Sequence, residues 1–292
     1  MDKEKLELYK NIINYYNLKC EEYLYGENRE TLAIHAGFSD ETTQEYKESL
    51  LRMNEVLADR AEICAGNLVL DAGCGVGGSA IWLAKNREAN VIGISIVKQQ
   101  IQYANQFAIE AGVDHLVHFL VSDFINTSFM QETFDVVWAL ESACYASDKF
   151  EFAKEAQRLL KPGGKLIVAD GFQSSDNLSE EDEVLMQSWL SSWVVPHLTT
   201  PDRFFSYLRQ LGFIKIQFED ISKNVLPFSL RLYLSALQSQ AEIKKVNDWK
   251  ELSTDDLKEI KGVRDQLRAL SGGLWLYGIF LAYKPEFPPK YI

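Results

Sequence analysis

A short apolar run ending in an acid and a cluster of glycines constrains this chain more than any other feature. Asn67-Leu-Val-Leu-Asp71 is followed by Ala-Gly73-Cys-Gly75-Val-Gly77-Gly78 and then by the helical pattern Ser79-Ala-Ile-Trp-Leu-Ala84. A strand, a glycine-rich turn and a helix in that order form the opening unit of a doubly wound α/β fold. Glycines at the carboxyl end of such a strand remove the Cβ barrier, so the backbone can approach a ligand closely. A nucleotide-like cofactor is therefore expected.

The alternation continues down the chain. Val91–Ile94, Val117–Val121, Phe134–Leu140 and Lys165–Ala169 read as further strands, separated by helical patterns at Lys98–Ala111 and about Lys149–Leu160. Several of these strands are continuous apolar runs, the mark of a parallel sheet covered on both faces. Phe213–Phe218 and Leu274–Ala282 complete a mostly parallel seven-stranded sheet of Rossmann-like type. Two amphipathic helical patterns, Leu6–Tyr16 and Tyr46–Ala61, come before the core. Helical material at Ser229–Gln240 and Leu252–Leu270 is inserted before the last strand. This gives a helical cover over residues 1–62, a cofactor-binding core over 63–170, and a lid, substrate insert and final strands over 171–284. Residues 285–292 form a proline-rich tail, and residues 171–200, where the pattern loosens and turns polar, acidic and then aromatic, read as a lid.

Composition narrows the function. Against 42 Asp+Glu there are only 30 Lys+Arg, a net charge of −12, so a nucleic-acid substrate is not expected. Cys20, Cys64, Cys74 and Cys144 are widely spaced, which signals neither a disulfide framework nor a metal site. The charged start Met1-Asp-Lys-Glu-Lys is no secretory signal, and Leu274–Tyr283 is far shorter than the roughly 20 residues of a spanning helix. A soluble cytoplasmic protein is expected, with a homo-oligomer left open.

Gly73, Gly75 and Gly78 also match the G-x-G-x-x-G of dinucleotide-binding enzymes. A nicotinamide-dependent oxidoreductase would need an acid about 20 residues further on to hold the ribose, but the second strand ends Gly93-Ile-Ser95. The run Val69-Leu-Asp-Ala-Gly-Cys-Gly-Val-Gly77 instead resembles the first motif of class I S-adenosylmethionine-dependent methyltransferases. Val91-Ile-Gly-Ile-Ser-Ile-Val-Lys-Gln-Gln-Ile101 is similar to the second-strand motif of one small-molecule subgroup. That subgroup includes sterol and tocopherol C-methyltransferases, cyclopropane fatty acid synthases and rebeccamycin-type sugar O-methyltransferases.

The resemblance implies S-adenosylmethionine as cofactor, held by Asp71, Gly73, Cys74, Gly75, Ser95, Ile96, Gln100, Asp123, Phe124 and Leu140. Ser95 and Gln100 would take the ribose, and Asp123 with Phe124 the adenine. Tyr15-Tyr16-Asn17 and His35-Ala-Gly37-Phe38 fall where the subgroup carries its covering elements, with Asn17 in place of the usual acid. They imply Tyr16 and the backbone near Gly37 at the methionine end.

Glu141 closes the fourth strand and is the first candidate catalytic group, as a base or a carbocation stabiliser; the other reading is a structural clasp. His35 and His197 are the further candidates, while His115 and His118 read as structural. No metal is implied. The aromatic residues Trp189, Trp193, Phe204, Phe205, Tyr207, Phe228 and Tyr233, with Val194, Val195 and Leu226, suggest a cavity for a small hydrophobic acceptor. Methylation of oxygen or carbon in a lipophilic natural product is the leading expectation. An isoprenyl diphosphate C-methyltransferase and a non-catalytic S-adenosylmethionine-binding protein are the alternatives. Arg203 and Arg231 are the isolated candidates for holding a diphosphate.

Overall fold

The computed structural model describes residues 3–20, 26–246 and 254–286. Most of the tail, 287–292, lies outside them. The chain runs α1 (Lys3–Lys19), α2 (Gly26–Thr31), α3 (Tyr46–Arg60), β1 (Leu68–Ala72), α4 (Gly78–Arg87), β2 (Asn90–Ser95), α5 (Lys98–Ala111), β3 (Val117–Val121) and β4 (Phe134–Leu140). It continues with α6 (Lys149–Leu159), β5 (Leu160–Gln173), α7 (Glu180–Ser192), α8 (Pro201–Gln210), β6 (Ile214–Asp220), α9 (Ser222–Val246), α10 (Thr254–Ser271) and β7 (Trp275–Tyr283).

The strands form one seven-stranded sheet in the order β3-β2-β1-β4-β5-β7-β6. β1 pairs in parallel with both β2 and β4, whereas β7 runs antiparallel between β5 and β6. The strand order therefore reverses beside β1, and the carboxyl ends of β1 and β4 open a crevice where such sheets bind ligands.

Burial follows the apolar runs. β1 and β4 are buried almost throughout, and Trp138 is fully enclosed. One core layer packs α3, α4, α5 and α7 against the sheet, and the other packs α6 and α8. The edge strand β6 is largely exposed and carries Lys215, Glu219 and Asp220, charges that discourage pairing with another chain.

Two sequence expectations are corrected. The segment read as a lid over 171–200, whose sequence shows no helical pattern, contains helix α7, capped by Ser179, whose Oγ accepts from the Asp182 N–H. The run Glu180–Glu183 fills the first turn, where acids oppose the helix dipole, so its polarity marks a helix start. The Lys161–Gly164 turn lies within β5, as an excursion between the pairs Phe134–Leu160 and Val136–Lys165.

α7, α9 and α10 form a helical cap over the carboxyl edge of the sheet. Ser188 Oγ donates to Asp265 Oδ2 at 2.6 Å, and Gly262 lets α10 approach α7 so closely that a Cβ there would lie 2.5 Å from Ser192 Cβ. Among the described residues no helix is long and apolar enough to cross a membrane.

Candidate active site

One cavity lies over the carboxyl ends of β1, β2 and β4, roofed by the N-terminal cover and by α7, α9 and α10. Its floor is the glycine loop. Gly73 has φ +108, and a Cβ there would sit 2.3 Å from Ser142 Cβ. Only glycine adopts this conformation at low cost. The Gly73 and Cys74 amides donate to Ile94 O at 3.0 and 2.9 Å, fixing the loop to β2.

Asp71, next to last in β1, is 2% exposed, and its Oδ2 has no hydrogen-bond partner. Burial pushes its pKa up to about 7. A buried, unpaired carboxylate oxygen is costly and calls for a donor or a cation from a ligand.

At the end of β2, Ser95 Oγ donates to Gln100 Oε1 at 2.7 Å and accepts from the Val97 N–H. Both side chains are buried and line the cavity with Ile96, Cys74 and Leu140. Asp123 uses Oδ1 to cap a turn at Ile125 N, while Oδ2 accepts from Tyr9 Oη of α1 at 2.6 Å, with Lys5 3.4 Å away. Phe124 also lines the cavity and packs edge-on against Phe152.

A second group of residues closes the roof. Tyr16 Oη donates to Tyr145 Oη at 2.9 Å, and Tyr145 Oη donates to Trp193 O at 3.1 Å, so α1, the turn after β4 and the end of α7 are tied together. Lys149 is buried, with Nζ donating to Cys144 O, Ala146 O and His197 O at 2.6 to 2.8 Å. Burial lowers its pKa to about 8. Its ammonium pins that turn beneath the segment following α7.

Glu141 has φ +48, an unusual backbone for a side chain of its size, and faces the cavity. Its Oε1 accepts from Ala36 N at 2.6 Å and from Tyr277 Oη at 2.8 Å. Burial raises its pKa to about 7. This carboxylate joins the N-terminal cover to β7, the geometry of a clasp.

His35, one residue earlier in the cover, is 6% exposed. Its Nδ1 lies 2.9 Å from Ala36 O, and a carbonyl can only accept, so Nδ1 carries the proton. Nε2 is then a bare acceptor, and it has no partner. Burial lowers the pKa to about 4, so the ring is neutral at pH 7.

Several expected site residues fall elsewhere, and Val194, Phe205, Tyr207, Leu226 and Tyr233, expected around the acceptor, are not on the cavity wall. His197 is exposed and outside the cavity wall; only its carbonyl is engaged, by Lys149. Gly37 is not on the wall either: a Cβ there would lie 2.1 Å from Ser49 Oγ, so its small size serves packing against α3. Phe204, expected in the acceptor cavity, packs against Phe172 and Phe280 in the core. Of the other aromatic candidates, Trp189, Trp193 and Phe228 do line the cavity, as does Val195. Arg203 pairs with Asp176, and Arg231 stacks over Tyr46.

Sequence reasoning missed Ser142, Tyr145, Asp170 and Tyr277. Asp170 is buried with a pKa raised by burial to about 6, its oxygens accepting from the Cys144 and Gly171 amides. Among the described residues the cavity wall thus carries four carboxyl groups, Asp71, Asp123, Glu141 and Asp170, and no Lys or Arg. Such a wall suits a ligand bearing positive charge.

Comparison with known proteins fits this geometry. A family model described as a methyltransferase domain matches residues 70–168. The 27-O-demethylrifamycin SV methyltransferase of Amycolatopsis mediterranei is 32% identical over 204 residues, spanning 70% of this chain and 73% of that protein. The chain belongs to the S-adenosylmethionine-dependent methyltransferases. Tocopherol O-methyltransferase of Arabidopsis thaliana is 29% identical over 275 residues, covering 86% of this chain and 76% of the relative. The crystal structure of the [4+2]-cyclase SpnF shares the fold, with a TM-score of 0.76 at 23% identity over 94% of this chain and 95% of that one.

The residues fit the family's cofactor. The orphaned Asp71 Oδ2, the glycine loop open to close backbone approach and a wall whose described residues include carboxyl groups but no Lys or Arg match a ligand that carries a sulfonium and an ammonium.

Proposed function

We propose that this methyltransferase methylates a hydroxyl oxygen of a small, uncharged, lipophilic natural product in the cytoplasm, with His35 taking the hydroxyl proton. The observation that carries this reading is His35 itself. A neutral imidazole with its tautomer fixed by Ala36 O leaves an unpartnered Nε2 in the wall of a largely apolar cavity.

Asp71, the glycine loop, Ser95, Gln100, Asp123 and Phe124 would hold the methyl donor. When bound, S-adenosylmethionine would supply an electrophilic methyl carbon on sulfur, with the neutral thioether S-adenosylhomocysteine as the leaving group. The chain's own contribution is to align the acceptor, exclude water and receive a proton. Trp189, Trp193, Val195, Leu198 and Phe228 supply the apolar chamber. The hydroxyl proton becomes strongly acidic only as its oxygen gains the methyl group, so a neutral imidazole of low basicity still suffices to accept it.

Glu141 serves as the clasp that holds Ala36, and so positions His35 beside it. Methylation of carbon, the other expectation, would need a base for a carbocation, and Glu141 with its pKa near 7 is the group for that reading. Oxygen is favoured because Glu141 Oε1 already serves two donors, and because rifamycin and tocopherol relatives are named for O-linked methyl transfer. An isoprenyl diphosphate acceptor is disfavoured, since among the described residues no Lys or Arg lines the cavity to neutralise it.

The test is transfer from methyl-13C-labelled S-adenosylmethionine to a panel of lipophilic phenols and alcohols, followed by carbon NMR. The label is expected as a methoxyl signal. Label appearing only as C-methyl, or no transfer to any hydroxylated acceptor, would contradict the reading.

A further inference from the structure

Besides Asp71 Oδ2 at the glycine loop, three buried polar atoms without partners belong to residues that line the cavity: His35 Nε2, Ser229 Oγ and Gln266 Oε1. Ser229 is 1% exposed on α9, where a serine hydroxyl ordinarily bonds the preceding turn or solvent; here it has neither. Gln266 lies on α10, and its backbone carbonyl is taken by Trp275 Nε1, leaving the side-chain oxygen unmatched. Buried polar atoms left alone lose the hydrogen bonds water gave them, so such groups are rare in folded proteins. That two of them sit on the inserted helices, in a chamber walled by Trp189 and Trp275 with ring centres 5.0 Å apart, points to a ligand.

We infer that Ser229 and Gln266 form a second polar subsite, which reads a hydroxyl group of the acceptor other than the one methylated. This rests on the reading of His35 as the group facing the methylated hydroxyl. The chemistry of the three atoms sets the ligand class. His35 Nε2 and Gln266 Oε1 can only accept, and Ser229 Oγ can accept as well as donate. The acceptor must therefore bring at least two hydrogen-bond donors on an apolar frame. Hydroxyls fit better than an ammonium, because the side chains at this subsite are neutral and a buried cation there would lack a counter-charge. Acceptor selection then resides in the insert between β6 and β7, apart from the glycine loop that binds the donor.

The test loads the protein with S-adenosylhomocysteine and titrates trimethylhydroquinone, its monomethyl ether and its dimethyl ether under reducing conditions. Quenching of tryptophan fluorescence reads binding, since Trp189, Trp193 and Trp275 line the chamber. The diol is expected to bind about three- to tenfold tighter than the monoether, the worth of one neutral hydrogen bond. In the double variant Ser229→Ala, Gln266→Met that preference should vanish, while monoether and S-adenosylhomocysteine affinities hold. Gln266→Met alone, which conserves volume, should reduce the preference in part and guards against misfolding of the pair.

Equal binding of the three probes to the loaded wild type, binding of none, or a preference that survives in the double variant would overturn the subsite. Failure to load S-adenosylhomocysteine would instead overturn the proposed function.

Discussion

Gly75→Val is expected to abolish detectable binding of S-adenosylhomocysteine. Gly75 has φ +52, and a Cβ there would lie 2.6 Å from Ile34 Cδ1 in the N-terminal cover. A β-branched side chain is poorly tolerated in the left-handed region, at a cost of about 1–2 kcal/mol. The larger effect is steric, because the new side chain stands on the floor of the cavity and also pushes on its roof. Calorimetry should give a wild-type Kd in the micromolar range, about −8 kcal/mol, and an affinity at least a hundredfold weaker in the variant. Gly66→Ala separates backbone strain from site blockage. Gly66 has φ +81 but faces open space, so that variant should lose stability and keep its affinity. Unchanged affinity in Gly75→Val would contradict the assignment of the glycine loop.

The second large effect is expected at His35. His35→Ala should lower kcat by about 10²-fold, within the range of general-base contributions, with S-adenosylhomocysteine affinity nearly unchanged. Added imidazole should restore part of the rate. Glu141 gives the contrast. Glu141→Gln keeps an oxygen for Ala36 N and Tyr277 Oη and should cost less than about threefold in kcat, whereas Glu141→Ala should weaken donor binding about tenfold by freeing the cover.

The pH profile separates the two groups. At saturating donor, a rate that depends on neutral His35 should persist down to about pH 5, since burial holds its pKa near 4. If Glu141 were the base, the rate would fall below about pH 7, where burial leaves that carboxyl half protonated. A drop near pH 7, together with a large loss in Glu141→Gln, would transfer the role to Glu141.

The strand-loop-helix unit at Asp71–Gly78 and the succession of five parallel strands were legible because each is written in a local pattern. Helix α7 was not, since Glu180–Glu183 carries the polarity of a loop and only Ser179 as a cap distinguishes it. That Asp71, Ser95, Gln100 and Asp123 line one cavity was legible for the same reason as the strands: they lie at or just beyond strand ends at the sheet's carboxyl edge. Tyr277 was not, because it reaches Glu141 only through the register that pairs it with Gly171, 136 residues along the chain from its partner. Ser229 and Gln266 were hidden differently. A polar residue on an amphipathic helix normally faces water, and only the packing of α9 and α10 over the sheet turns these two inward. Gly37 and His197 were overread, one as a ligand contact where close helix packing sufficed, the other as a base on the strength of its residue type.

A cavity whose described wall residues include four carboxyl groups and no Lys or Arg should bind a sulfonium donor. Calorimetry of S-adenosylmethionine against S-adenosylhomocysteine at pH 6 and pH 8 tests it most directly, because the two ligands differ in the charge on sulfur. Burial places Asp71 and Glu141 near pKa 7, above the ordinary carboxyl range. The folded apo protein therefore holds protons that the unfolded chain has released, and its stability falls as pH rises through about 4 to 7. Over pH 6 to 8 both groups ionise, so the cavity becomes more negative as the sulfonium arrives. The preference for S-adenosylmethionine over S-adenosylhomocysteine should grow about tenfold across that interval, equivalent to about 1.4 kcal/mol. A ratio independent of pH, or binding of neither ligand, would contradict the account.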